Sequence, residues 1–227
     1  MLSKIKNFLL DLLFPKFCLN CRQEGIYLCP DCEELLEITG FHRGQRVSFL
    51  TDLFFAVNYQ NPLAKNLIQN FKYEPFIKEL GQTISSLIIK HFQLMDNLPA
   101  FHPKINVNNL ANFVLVPVPL HRSRLKWRGF NQAEEICKNL APFFKLPVIN
   151  NCLIRIKKTY PQIELTGLAR KENINNAFFI KNKELIKNKN IILVDDVYTT
   201  GATMIECSRI LKQSGAKKII GLVFARD

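Results

Sequence analysis

The sequence predicts an α/β protein built around a parallel sheet, and three observations lead to that fold class. The apolar run Ile191–Val194 ends on acidic residues, as expected of a buried parallel strand whose end carries a ligand site. From Phe113 onward, strand-like and helix-like segments alternate, as crossover connections between parallel strands require. The chain has 227 residues, 48% hydrophobic and 22% charged, so it can bury one substantial core and carry a small appendage.

Before this alternating part, the sequence predicts one strand and two helices. Residues 53–59 have the apolar and aromatic composition of a strand. Asn61, followed by proline, provides an N-cap and a first helical residue for a helix over 62–71. A second helix is predicted over 76–92. Residues 94–112 are rich in Asn and Pro and are predicted to form a mobile loop.

The alternating part is predicted to occupy the rest of the chain. Its elements are, in order, a strand at 113–118, a basic loop at 119–130, a helix beginning within 129–132, strand-like residues at 148–149, a loop at 155–173, a strand at 177–180, a lysine-rich turn at 181–189, a strand at 191–194, a helix at 204–213 and a strand at 217–225. Gly215 fits the position just after a helix end.

The most informative feature is a pair of carboxylates, Asp195 and Asp196, followed by a hydroxyl-rich turn. The turn consists of Thr199, Thr200, Gly201, Ala202 and Thr203. Open α/β sheets bind ligands at the carboxyl ends of their strands. The turn offers N–H groups, hydroxyls and a helix N-terminus to an anion, and its glycine allows close approach. Carboxylates beside a phosphate site predict a phosphoribosyl ligand, whereas a plain helix cap is the alternative explanation of the acid pair.

Four of the seven cysteines have the spacing C-x2-C-x7-C-x2-C, which predicts one tetrahedral zinc site. The predicted ligands are Cys18, Cys21, Cys29 and Cys32. The other three are predicted to be buried thiols: Cys137, Cys152 and Cys207. Disulfides are disfavoured by the odd cysteine count and the lack of a secretory leader, and a redox dithiol by the sequence context. A four-thiolate site is closed, so the predicted role is structural.

Residues 1–14 predict an amphipathic helix that is too short and too interrupted by charges to cross a membrane. This helix could pack on its own protein or touch a membrane surface or a partner. No other stretch approaches membrane length, so a cytoplasmic location is expected. The sequence therefore divides into an N-terminal helix and zinc module at 1–50 and a main domain at 51–227.

The net charge of +12 lies almost entirely in the second half of the chain. Residues 1–113 carry 11 Lys and Arg against 10 Asp and Glu, whereas residues 114–227 carry 20 against 9. Such a basic half suits a polyphosphate substrate and equally suits a nucleic-acid backbone.

The segment LVDDVYTTGAT at 193–203 resembles the phosphoribosyl-pyrophosphate (PRPP) loop of type I phosphoribosyltransferases. The whole chain resembles one branch of them, the ComF family (ComFC/GntX-like) of competence-associated proteins. The other supporting segments are the four cysteines, residues 71–73, VPVPL at 116–120, RGFNQ at 128–132, residues 159–170 and the ending at 224–226. The resemblance implies a type I phosphoribosyltransferase fold with helices on both faces of the sheet.

The resemblance also implies roles for individual residues. Asp195 and Asp196 would hold the ribose hydroxyls, the turn at 199–203 would hold the 5′-phosphate, and Asp196, the second residue of the pair, would be the general base if the reaction needs one. Mg²⁺ would arrive with PRPP. The resemblance also places a pyrophosphate loop at 119–130 and, at 155–173, a mobile hood that closes over PRPP. Together they would supply Arg122, Arg124, Arg128, Lys157, Thr159 and Gln162.

Two segments have more than one explanation. The Lys72–Tyr73 pair is a recurring feature near the family's cleft, although a solvated helix end explains it equally well. The basic loop at 119–130, with Lys126 and Trp127 among its side chains, fits a pyrophosphate loop, a solvated loop or a nucleic-acid contact with the indole stacked on a base.

Three functions follow from the resemblance. The first is a transferase with an unidentified acceptor, as in nucleotide salvage. The second is a role in natural competence and DNA uptake, with single-stranded DNA and competence-machinery proteins as partners. The third is a regulatory protein that senses PRPP without turnover.

Overall fold

The computed structural model describes residues 15–39, 46–96, 112–157 and 176–227. Its elements in chain order are α1 (Pro30–Glu34), β1 (Asp52–Asn58), α2 (Pro62–Lys72), α3 (Leu80–Asp96), β2 (Phe113–Pro117), α4 (Arg122–Arg128), α5 (Gln132–Phe144), β3 (Leu153–Arg155), β4 (Phe178–Ile180), a 3-10 helix (Lys183–Leu185), β5 (Asn190–Tyr198), α6 (Ala202–Gln213) and β6 (Lys218–Arg226). The predicted α/β class is confirmed.

Four parallel strands form the central sheet in the order β1, β6, β5, β2. The inner strands are apolar on both sides, as expected when helices cover both faces of a parallel sheet. Ile192 and Leu222 face a core shared with α2, α3 and α5. Ile191 and Val223 face a second core that contains α6 and the β3–β4 pair. All four strands end at the same edge, so the loops that follow them meet there.

Several predicted elements lie where the sequence placed them. Asn61 caps α2, since its side-chain oxygen accepts hydrogen bonds from the N–H groups of Leu63 and Ala64. Gly215 follows α6 with a positive φ of 97°, a conformation that glycine adopts without strain. Helix α3 begins and ends about four residues later than predicted. The predicted loop over 94–112 lies mostly outside the described residues.

Two predictions about the alternating part were wrong. The segment predicted as a loop over 119–130 contains α4, which His121 caps at one end and Gly129, with φ 84°, ends at the other. The strand predicted at 177–180 does not belong to the parallel sheet, because β4 pairs with β3 in a separate antiparallel pair. Arg155, placed by the sequence in a loop, is therefore a strand residue.

The described part of the N-terminal module packs against α2, α3 and β1. Asn66 of α2 donates from Nδ2 to the carbonyl of Leu19 at 2.7 Å, and Asn61 donates from Nδ2 to the carbonyl of Leu35 at 2.8 Å. Lys90 of α3 pairs with Glu33. Apolar side chains of the module join the same core as those of α2. The boundary predicted at residue 50 remains a prediction.

The predicted helix over residues 1–14 also lies outside the described residues. Among the helices that the structure does describe, none combines the length and the apolar character needed to cross a membrane.

Candidate functional site

A cleft of about 510 Å³ opens at the carboxyl edge of the sheet. Residues that follow β1, β2, β5 and β6 line it together with the C-terminal half of α2 and one side of α4. The charged side chains in its lining are Lys72, Arg124, Arg128, Arg155, Asp195, Asp196 and Asp227. This is the edge at which open α/β sheets place their ligands.

The two acids lie inside β5 and not after its end, which corrects the predicted strand boundary. The strand continues through Tyr198, so Asp195 and Asp196 point to opposite faces near its carboxyl end. Asp196 is 3% exposed. Burial and the neighbouring charge of Asp196 raise the pKa of Asp195 to about 7, against the lowering effect of Lys72. The cleft thus contains a carboxyl group that titrates near neutral pH.

Lys72, the last residue of α2, reaches into the cleft and pairs with the buried acid. Its Nζ lies 2.8 Å from Oδ1 of Asp196. Burial lowers the pKa of Lys72, but the charges of Asp196 and Asp195 outweigh it and raise that pKa. Of the two explanations left open by the sequence, the structure therefore places Lys72 and its neighbour Tyr73 at the cleft and not on a solvated helix end.

The whole hydroxyl-rich turn, residues 199–203, lines the cleft. Gly201 caps α6 with φ 73°, and its carbonyl accepts the first helical hydrogen bond from Ile205 at 2.8 Å. A Cβ built on Gly201 would lie 2.1 Å from Oη of Tyr198, so the tyrosine ring occupies the space that any side chain there would need. The turn and the start of α6 therefore present backbone N–H groups at the edge of the cleft.

The predicted basic residues divide between the cleft and the surface. Arg124 and Arg128 lie one helical turn apart on α4 and both line the cleft, whereas Arg122 and Lys157 do not. Thr159 and Gln162 lie outside the described residues. The arginines across from the acids can meet the anionic end of a ligand that the turn holds at its other end.

Arg155 is a cleft residue that the sequence placed in the loop over 155–173 without a role of its own. It is 8% exposed, and its guanidinium stacks over the ring of Phe178 at 5.3 Å. Burial lowers its pKa, and the nearby charge of Arg124 lowers it further. Alternation along β3, with Leu153 and Arg155 buried and Ile154 between them partly exposed, is the local signal that could have placed it. A three-residue strand is too short for that signal to stand out.

The RGFNQ segment joins α4 to α5 and fixes the helix end that carries Lys72. The ring of Phe130 packs against that of Phe71 with centroids 5.5 Å apart. Nε2 of the buried Gln132 donates to the carbonyl of Phe71 at 3.2 Å. Asn131 caps α5 and donates from Nδ2 to the carbonyl of Val118 at 3.1 Å. The RGFNQ segment has one charged residue, Arg128, and its other contacts hold in place the backbone that carries the cleft residues.

The four predicted zinc ligands lie together. Their Sγ atoms are all within 4.8 Å of one another, and those of Cys21 and Cys29 are 3.5 Å apart. Tetrahedral Zn–S bonds of about 2.3 Å require Sγ separations of about 3.8 Å, so the cluster has the right size. Burial opposes ionisation of Cys18, but backbone hydrogen bonds, led by that from Cys29, lower its pKa to about 6. The thiols Cys137, Cys152 and Cys207 are buried, as predicted.

Comparison with known proteins gives consistent matches. Residues 128–227 match a family model described as the phosphoribosyl transferase domain. Over 207 residues, the chain is 38% identical to competence protein F of Haemophilus influenzae, covering 91% of this chain and 82% of that protein. It is 32% identical to the DNA utilization protein YhgH of Escherichia coli, covering 89% and 85%, and 34% identical to competence protein ComFC of Bacillus subtilis, covering 88% and 79%. A hypoxanthine phosphoribosyltransferase from Trypanosoma cruzi aligns at a TM-score of 0.34 with 14% identity over 64% of each chain, too weakly to bear on function.

Proposed function

Because the chain belongs to the family of competence protein F and ComFC and contains a phosphoribosyl transferase domain, we propose that it binds PRPP in the cleft and acts in DNA uptake. One observation carries the first part of this proposal. A pair of acids of which Asp196 is buried, a hydroxyl-rich turn at a helix N-terminus and a set of cations from other elements meet around a single cleft. A sugar diol flanked by a phosphate and a pyrophosphate matches these three groups in that order.

Each part of the substrate has a partner in this proposal. Asp195 and Asp196 accept hydrogen bonds from the ribose hydroxyls, and the turn at 199–203 binds the 5′-phosphate. The guanidiniums of Arg124 and Arg128 face the pyrophosphate, and fixed cations at that position stabilise the charge that develops as this group departs. Magnesium arrives with the substrate, because Mg²⁺ usually binds through substrate phosphates and a few carboxylates and needs no dedicated protein cage.

The generic transfer step is a displacement at C1′ of the ribose. The bond from C1′ to the pyrophosphate oxygen breaks, the bond from C1′ to the acceptor forms, and pyrophosphate leaves with the electron pair. An acceptor that carries a proton gives it up as the new bond forms, and Asp196 is the assigned base. Lys157, Thr159 and Gln162 stay assigned to the hood, whose closure would exclude water from the reacting carbon.

Calorimetric titration with PRPP and Mg²⁺ tests the binding proposal. The Asp195→Asn/Asp196→Asn double variant should lose PRPP binding while keeping the fold, because amide groups cannot replace two charged acceptors. Glu184→Gln is the matched control, since Glu184 is an exposed acid before β5, at the opposite edge of the sheet. Unchanged PRPP affinity in the double variant would refute the site assignment.

A pyrophosphate-release assay then separates the three functions. Release that requires an added acceptor would identify a transferase. Binding without release, in the presence of single-stranded DNA or of nucleobases, would identify a PRPP sensor. Release that depends on nucleobases but not on DNA would favour a salvage enzyme.

A contact with single-stranded DNA has its own support at the mouth of the cleft. Trp127 is 57% exposed and lies on the same side of α4 as Arg124 and Arg128. The ring of Phe76 meets it edge-on at 4.7 Å and backs the indole. An exposed aromatic ring between basic side chains suits single strands, because bases stack on the ring and phosphates pair with the cations.

This contact can be followed directly, because Trp127 is the single tryptophan of the chain. Binding of oligo(dT) at this surface should quench tryptophan fluorescence, and the affinity should fall steeply with salt, unlike that for PRPP. Arg124→Ala and Lys126→Ala should weaken DNA binding, whereas Lys183→Ala, an exposed lysine at the opposite edge, should not. Binding without quenching would place the DNA elsewhere.

For the N-terminal module we propose a structural Zn²⁺ held by Cys18, Cys21, Cys29 and Cys32. Four thiolates leave no open coordination position, so the ion would stabilise the module and leave the chemistry to the cleft. A cytoplasmic location is part of the same proposal, and so are contacts with other competence proteins, which the names of the competence relatives suggest.

A further inference from the structure

The pair formed by Lys72 and Asp196 is not an ordinary surface ion pair. The side chain of Asp196 is 4% exposed and that of Lys72 is 22% exposed. Surface pairs contribute little to stability, but an acid buried this deeply is costly to ionise without a partner cation. The ammonium of Lys72 therefore offsets the cost of a buried negative charge at the cleft, which both residues line.

The position of the Lys72 ammonium is set by packing from three helices. Phe71, the preceding residue, is fully buried, and its ring packs against Phe130 and against Gly81 of α3. Its carbonyl is bound by Gln132 of α5. The N–H of Tyr73 donates to the carbonyl of Gln69 and closes the last turn of α2. Lysine is a flexible side chain, but here its Cα cannot move relative to β5 without disturbing both neighbouring helices.

We propose that Lys72 is a positioning residue of the PRPP site: it orients Asp196 and offsets the negative charge of the acid pair, so that both acids can accept the ribose hydroxyls at neutral pH. This inference rests on the proposed function for its consequence, although the ionisation it describes belongs to the free protein. The ammonium engages Oδ1 of Asp196. Oδ2 then remains as an acceptor for the sugar.

The physical reason is the proximity of two acids on adjacent strand residues, one of them buried. Two such carboxyl groups cannot both lose their protons readily, because each charge opposes the other. A cation beside one of them relieves this opposition, and the charge of Lys72 lowers the pKa of Asp195 as well. Other titratable or charged groups that act on the acids or lie around the cleft are Tyr59, Tyr73, Arg124, Arg128, Cys137, Arg155, Tyr198, Cys207 and Asp227. Those groups lie on or beside α2, α4, α5, α6, β1, β3, β5 and β6, and the ammonium of Lys72 lies 2.8 Å from Oδ1 of Asp196.

The test compares Lys72→Met, which keeps length and removes charge, with Lys72→Arg, which keeps charge. Lys78→Met is the matched control, since Lys78 is an exposed lysine whose Nζ lies 3.6 Å from Glu135. The first readout is the ¹³Cγ titration of Asp195 and Asp196 in the free protein by NMR. Lys72→Met should move the titration midpoint of the pair upward by about 1–3 pH units, the usual effect of losing an adjacent opposite charge. Lys72→Arg and Lys78→Met should keep the midpoint of the unmodified protein.

The second readout is PRPP affinity between pH 6 and pH 9. Lys72→Met should weaken PRPP binding about tenfold or more at pH 7.5 and recover part of that loss at pH 9, since each pH unit is a tenfold change in proton occupancy. A loss of affinity that is equal at every pH, with an unshifted NMR midpoint, would mean that Lys72 only supports the fold and would overturn the inference.

The two readouts separate failure of this inference from failure of the proposed function. If the unmodified protein does not bind PRPP, the proposed function fails, and the NMR titration still decides whether Lys72 controls the acid pair. If it binds PRPP and Lys72→Met titrates like the unmodified protein, the inference fails and the proposed function stands.

Discussion

The replacement Gly201→Ala perturbs the turn at the cleft in a way that the structure makes quantitative. Gly201 has φ 73°, and a Cβ at this position would lie 2.1 Å from Oη and 2.3 Å from Cζ of Tyr198. The tyrosine cannot easily give way, because it is 7% exposed and the guanidinium of Arg226 lies 5.8 Å from its ring centroid on another strand. Alanine therefore suffers both backbone strain and a collision at this position.

The expected cost has two parts. A left-handed backbone costs an alanine about 1–2 kcal/mol. Overpacking against a confined ring adds about 1–3 kcal/mol, so Gly201→Ala should lower the free energy of unfolding by about 2–5 kcal/mol. For a chain of this size, at about 2–4 °C per kcal/mol, that corresponds to a fall in melting temperature of roughly 4–20 °C. The distorted turn should also bind PRPP more weakly.

Gly215→Ala separates the two parts. Gly215 has φ 97°, but a Cβ there meets its nearest atom, Cγ of Lys187, at an ordinary 3.6 Å. This control should lose only about 1–2 kcal/mol, the backbone part of the cost. Urea unfolding of both variants measures the difference. Equal losses in the two variants would refute the claim that Tyr198 fills the space beside Gly201.

Three further predictions follow from the structure. Because burial raises the pKa of Asp195 from 3.8 to about 7, the folded state holds this proton more tightly than the unfolded state. The associated stability is present below pH 4 and is lost as pH rises through 7, by up to about 4 kcal/mol. Asp195→Asn should therefore match the unmodified protein below pH 4 and exceed it in urea unfolding at pH 8. Cys18→Ser or chelation of zinc should lower the melting temperature, and only chelation should be reversed by added Zn²⁺; a chelator-resistant melting curve would contradict the zinc proposal. Gln132→Leu should cost about 1–3 kcal/mol by leaving the carbonyl of Phe71 without its donor, and a loss below about 0.5 kcal/mol would show that water replaces the amide.

The sequence predicted those elements whose signals are local. The cap at Asn61, the apolar run in β5 and the glycine after α6 each depend on a few consecutive residues, and the structure has all three. Helix α4 was missed because it has no buried residues, so its sequence lacks the apolar periodicity that identifies amphipathic helices. The residues at its two ends, His121 and Gly129, were the only local features in the sequence that indicated a helix.

The residues of the candidate site also fall into a group that the sequence predicted and a group that it did not. The acids and the hydroxyl-rich turn are contiguous in sequence, so their chemistry could be predicted from their order alone. Lys72, Arg155 and Trp127 come from three other elements and reach the same cleft only through the packing of α2, β3 and α4. The sequence offered Lys72 as either a cleft residue or a solvated helix end, and nothing local distinguished them.

By itself the sequence determined which groups this protein has for chemistry: a pair of acids before a phosphate-type turn, four thiols at zinc spacing and a basic second half. Only the tertiary structure decided which of those groups act on one another. It placed an ammonium 2.8 Å from Asp196, brought Arg155 into the cleft and left Arg122 outside it. The reason is that charge interactions depend on distance and on the exclusion of water, and both are set by how distant segments pack.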